Sequence, residues 1–129
     1  MGVVFGCSSS QKDLNSAKLE ADKIHELLNL GLYSQIYNSS TTEFKQNNPE
    51  SKIVKFLTDI DNKFGRPKET KFIRWNTNNS TSFSKNSTVV ILAYDVQYER
   101  GHGIETMYFQ DENGIMRISG YNIQSDEPF

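Results

Sequence analysis

The chain has 129 residues, 36% of them hydrophobic, with 14 basic and 16 acidic side chains and a formal net charge of −2. That length builds one domain with its own core and needs neither disulfide nor metal to do so. Balanced charge without a Lys or Arg run gives no electrostatic case for nucleic acid, and the lone Cys7 excludes an intrachain disulfide and a cysteine-rich metal centre.

Val3-Val4-Phe5-Gly6-Cys7 is an apolar stub followed by Gly and Cys, and Ser8-Ser9-Ser10-Gln11-Lys12-Asp13 is small and polar. The first stretch resembles the end of a bacterial lipoprotein signal peptide, and the second has the composition of a flexible tether. The resemblance implies acylation of Cys7 and residence in the cell envelope through a lipid anchor. Residues 1–13 are therefore expected as signal remnant and tether, and residues 14–129 as a single domain. No apolar run approaches the ~18 residues that a transmembrane helix needs.

Three helical patterns come next. Leu14, Ala17, Ala21, Ile24 and Leu28 recur at spacings of three and four, with Leu27 widening the stripe, and Gly31 supplies a C-terminal stop. Leu32–Phe44 restarts with Tyr33, Ile36, Tyr37 and Phe44 on one side, although its Ser39-Ser40-Thr41-Thr42 centre is poor helix material. In the third, Asn48 and Pro49 suit a helix start, Ile53, Phe56, Leu57, Ile60 and Phe64 form the stripe, and Gly65-Arg66-Pro67 ends it.

Beyond Pro67 the period changes to two. Thr70–Thr77 alternates, with Ile73 and Trp75 expected to share a core-facing side, and the polar 76–87 stretch reads as a loop or short irregular strand. Thr88–Glu99 is the longest run of strand formers, placing Val90, Leu92, Tyr94, Val96 and Tyr98 on one face. Breaks at Arg100–Gly103 and at Asp111–Gly114, the second holding Asn113-Gly114, open the strands Ile104–Phe109 and Ile115–Ile123. The fold expected is α+β, with N-terminal helices packed on a curled four-stranded antiparallel sheet.

This layout resembles the cystatin-like/NTF2-like superfold. The segments DENGIMRISGYNI, EADKIHELLNLGLYSQIY and Phe64-Gly65-Arg66 are similar to the small DUF4019-type bacterial envelope proteins, with Met116 where that group tends to carry Trp. The resemblance implies a fold and an envelope address, and no activity.

Chemistry-bearing residues are sparse. His25 is expected at the surface of the first helix and His102 in a mobile strand-strand turn, and no spacing of His, Cys or carboxylates suggests a metal or cofactor. Tyr33, Tyr37, Trp75, Tyr94 and Tyr98 are candidates for lining a pocket for a small apolar or aromatic ligand, against the plainer reading that they fill the core. Val89, Ile91, Met107 and Phe109 are expected as an outer apolar patch serving a weak homodimer or an envelope protein partner. The favoured function is a non-catalytic interaction or ligand-binding module, the alternative an NTF2-like enzyme with an acid-base pair inside the sheet. Asp95 and Glu105 are expected to face outward. Either one inside, bonded to His102 or a tyrosine hydroxyl, would reverse that preference.

Overall fold

The structure, a computed structural model, describes residues 3–80 and 87–126, with side-chain surroundings for residues 11–78 and 88–126. Four helices precede four strands: α1 (Val3–Leu30), α2 (Tyr33–Asn38), α3 (Thr42–Asn47), α4 (Glu50–Phe64), β1 (Pro67–Ser80), β2 (Ser87–Tyr98), β3 (Gly101–Glu112) and β4 (Ile115–Ser125). The strands form one antiparallel sheet in the order β1-β2-β3-β4, not closed into a barrel, with helices packed on it. The α+β class read from the sequence is the one observed.

On α1, Leu14, Ala17, Ala21, Ile24 and Leu28 are buried, as their spacing requires. The helix runs from Val3, so the backbone of the expected tether is helical, and the side chain of Cys7 lies outside the described residues. A serine run costs a helix only tenths of a kcal/mol per residue, and a helix already nucleated on an apolar stripe extends over it cheaply. Among the described residues no helix is long and apolar enough to cross a membrane.

The second expected helix is two. Ser39–Thr41 interrupts it, and Thr41 restarts the chain as an N-cap whose Oγ1 accepts the Phe44 amide at 3.2 Å. Ser40 bridges to Ile118 on β4, and the Thr41 amide donates to the Ile118 carbonyl at 2.9 Å, which covers that sheet edge. On α4, Leu57, Ile60 and Phe64 are buried and Ile53 packs against them, whereas Phe56 is exposed at the margin of the stripe. Gly65 ends the helix at φ 83°.

The sheet alternates as a pleat dictates, with Val90, Leu92, Tyr94, Val96 and Tyr98 buried on β2. Three register shifts interrupt the ladders of the described residues, one at the start of β1 between Pro67 and Glu69 and two further along. Between Phe72 and Arg74 the ladder steps from Phe72↔Tyr94 to Arg74↔Ala93, leaving Ile73 as the extra residue. Ile73 and Trp75 therefore do not share a core face; both are exposed, and Phe72 packs on the core instead. On β4 the ladder steps from Phe109↔Ile118 to Tyr108↔Gly120, so Ser119 is the extra residue. Part of the polar stretch after Trp75 is also strand, since β1 continues to Ser80.

Candidate functional site

A buried polar group lies between α1 and the inner face of the sheet. Tyr98 pairs with Gly101 across the two-residue Glu99-Arg100 turn, so the even-numbered inner residues of β2 stand opposite odd-numbered residues of β3. Tyr94 faces Glu105, Leu92 faces Met107, and Val90 faces Phe109. The side chain of Glu105 is 1% exposed. His25 reaches it from α1, four residues after Ala21 and three before Leu28, within the buried stripe. The bulge at Ser119 turns Tyr121 inward as well; strict alternation from the buried Ile118 would have faced it outward.

Glu105 has both oxygens engaged. Its Oε1 is 2.6 Å from Nε2 of His25, and its Oε2 accepts the Tyr121 hydroxyl at 2.5 Å. The His25 ring stands edge-on to Tyr94 at 4.7 Å between centroids. Burial pushes the phenols of Tyr94, Tyr98 and Tyr121 well above their ordinary range, and the nearby Glu105 charge pushes all three further. For Tyr94, Asp22 adds to the rise ahead of Glu105. These phenols stay protonated at neutral pH. They act as hydrogen-bonding groups, not as bases.

Two recesses adjoin this group and share Leu28, Leu57 and Tyr121. One, of about 280 Å³ including its open mouth, is lined also by Tyr33, Asp61 and Tyr98. The other, of about 340 Å³ again counting open solvent, is apolar on its exposed walls and runs past Ile36, Tyr37, Ile53 and Ile118. Neither is lined by Glu105 or His25, so Tyr121 is the member of the polar group that meets both.

Of the pocket candidates, Tyr33, Tyr37 and Tyr98 line a recess. The Tyr37 hydroxyl sits at 3.0 Å from the Lys45 carbonyl and 2.6 Å from that of Asn48, tying α2 to the start of α4. Tyr94 is buried between His25 and Phe72, and Trp75 is exposed on β1; neither lines these recesses. The expected outer patch needs correction. Met107 and Phe109 are fully buried on the inner face, because the hairpin count fixes them opposite Leu92 and Val90. Val89 and Ile91 are half-buried on the other face.

Two histidines and one carboxylate also need correction. His25 is buried, and Glu105 points inward to it and to Tyr121. His102 belongs to β3, where its Nε2 bonds Asp95 and its Nδ1 lies 3.2 Å from Asp126. Asp95 does face outward, beside Glu69, Lys71 and Gln97 around an open depression.

No protein-family model matches the chain, and no curated protein matches it.

Proposed function

We propose that the domain is a small-ligand-binding module of the NTF2-like kind, taking an apolar or aromatic molecule into the paired recesses over Tyr98 and Tyr121. The observation that carries this reading is the junction itself, where an apolar cleft between helices and sheet ends on a phenol held in place from behind by Glu105 and His25. Attachment to the envelope through an acylated Cys7 belongs to the same proposal and rests on the Gly6-Cys7-Ser8 sequence. The resemblance to the DUF4019-type proteins agrees with it.

Binding is tested with the neutral fluorophore N-phenyl-1-naphthylamine, whose emission rises in an apolar site. The expected result is a saturable rise in the wild-type chain that is lost in Leu57→Trp, which fills the shared wall of both recesses. A rise of equal size in folded Leu57→Trp would sink the reading.

A second reading, acid-base catalysis, is favoured by the inward Glu105 bonded to a tyrosine hydroxyl, the condition that the sequence left open. The stated condition for putting catalysis first is therefore met at Glu105; binding is still proposed first on one further ground, that neither Glu105 nor His25 lines either of these two recesses, where substrate would have to reach it. The two readings separate in D₂O. A catalyst exchanges carbon-bound hydrogen of the bound molecule or converts it, and Glu105→Gln stops this, whereas a binding module returns its ligand unchanged.

A further inference from the structure

Most of the lining of the apolar recess is buried, and the exceptions are Phe44, Ile53, Gly120 and Tyr121, each half-buried. These four stand on three elements that are held unequally. Ile53 belongs to α4, which buries Leu57, Ile60 and Phe64. Gly120 and Tyr121 belong to β4, which is laddered to β3 along its length. Phe44 belongs to α3, a helix of 6 residues that buries none of them. Thr42, Glu43, Gln46 and Asn47 are exposed on it, and Phe44 and Lys45 are half-buried. A helix this short has no stability of its own, and local opening is cheapest where few apolar contacts are buried. Of the three walls, α3 gives first.

The chain ahead of α3 is fixed, with Ser40 and Thr41 buried and pinned to Ile118 on β4. The helix itself is held by polar ties at both ends. Glu112 accepts the Thr42 amide on Oε2 at 3.0 Å and the Thr42 hydroxyl on Oε1 at 3.2 Å. Both bonds are exposed, so water competes for each of them. At the far end the Tyr37 hydroxyl meets the Lys45 and Asn48 carbonyls. Between these ties the Phe44 ring turns to the recess, 6.5 Å from the Tyr37 ring between centroids.

We propose that α3 is a lid on the apolar recess and Phe44 its stopper: a ligand enters where α3 lifts away, and α3 closes behind it. The proposal rests on the binding reading and adds the route of entry.

The test follows N-phenyl-1-naphthylamine entering the full chain by stopped-flow fluorescence. In the wild type the observed rate is expected to level off as the fluorophore concentration rises, because opening of α3 then limits entry. Glu112→Ala frees Thr42 at a position outside the recess. It should raise that plateau about threefold or more while the dissociation constant stays within about twofold, since α3 closes over the empty and the filled recess alike. Phe44→Ala, checked for native circular dichroism, removes the stopper and should raise the plateau about tenfold or more. Hydrogen exchange in the wild type gives a reading that needs no variant. Amides of α3 should exchange faster than those of α4, and should slow once the fluorophore is bound. A wild-type rate that climbs without levelling off, or a plateau unmoved in both variants, overturns the lid and leaves the binding reading standing, with entry through the other recess. So does an α3 protected as strongly as α4. Failure of the fluorophore to bind the wild type overturns both.

Discussion

Glu105 stands opposite Ile123 in the sheet ladder, yet its carboxylate reaches diagonally to the hydroxyl of Tyr121, 2.5 Å away on the neighbouring strand. Diagonal neighbours of this kind are within reach of long side chains. The contact joins a buried charge to the residue that meets both recesses. Tyr121→Phe leaves one carboxylate oxygen without its donor, and a charge-assisted hydrogen bond of this sort contributes about 1.5–3 kcal/mol. Urea denaturation of Tyr121→Phe should show a loss in that range. A double-mutant cycle with Glu105→Gln should show coupling of about 1 kcal/mol or more. Strict additivity would mean that the two groups do not interact.

His25 and Glu105 form a pair with side chains 11% and 1% exposed. Removing one member of such a pair strands the other, a loss of about 3–5 kcal/mol, whereas replacing the whole group by apolar residues of similar volume can be neutral. The expected outcome is that His25→Leu alone is more destabilised than the triple variant His25→Leu, Glu105→Met, Tyr121→Phe. Thermal denaturation of both ranks them, and a triple variant less stable than the single one contradicts the account.

The inner face of β2 and the helical stripes were legible because one period, two or 3.6, held over many residues. Glu105, Met107 and Phe109 were legible too, by counting. A break of four residues at Arg100–Gly103 and the observed turn of two at Glu99-Arg100 are both even, and an even loop sets even residues of β2 against odd residues of β3. Alternation alone misleads here because Ile104 and Tyr108 are as strand-like as Met107 and Phe109. His25 could have been placed from its spacing to Ala21 and Leu28. Tyr121 and Ile73 could not, since each depends on a bulge that strict alternation does not contain.

Gly65 has φ 83°, and a Cβ built there would lie 2.5 Å from Glu99 Oε1 and 2.7 Å from its Cβ. Glu99 cannot simply swing away, because its Oε1 accepts the Arg66 amide at 2.9 Å. Gly65→Ala therefore combines left-handed strain with a close contact, and each such effect costs on the order of 1 kcal/mol or more. A fall in urea midpoint without change in m is expected. Gly114, also at positive φ, meets nothing within 4 Å, so Gly114→Ala should be milder.

His102 is held between two carboxylates, Asp95 and Asp126, and Lys71 and Glu69 border the same depression. Hydrogen bonds to Asp95 and then Asp126 raise its pKa above the usual 6.5. A raised histidine contributes stability that is fully present below the unfolded value and is lost as pH rises through the folded one. Nuclear magnetic resonance should find His102 titrating above 6.5, and closer to 6.5 in Asp126→Asn. Amide exchange at the end of β4 should quicken as pH passes that value, beyond the ordinary base-catalysed rise measured in His102→Gln.

The bulge on β4 is the one device that lets Ile118 and Tyr121 both face inward, because Ser119 between Phe109↔Ile118 and Tyr108↔Gly120 absorbs a residue. Ile118 is needed in the core and at the Thr41 bond, and Tyr121 is needed on Glu105. Deleting Ser119 restores unbroken alternation, so with Ile118 held in place the residues after it move by one step and Tyr121 turns to the opposite face. Gly120 permits the close approach at the bulge, where an added Cβ would come 3.0 Å from Tyr108 Cδ1. The expected result is a destabilised chain in which Tyr121→Phe costs almost nothing further, since the hydroxyl has already left Glu105. In the parent chain the same substitution carries the full penalty argued above. Should Tyr121→Phe cost as much in the deletion background as in the parent, Tyr121 reaches Glu105 without the bulge, and the role assigned to Ser119 is wrong.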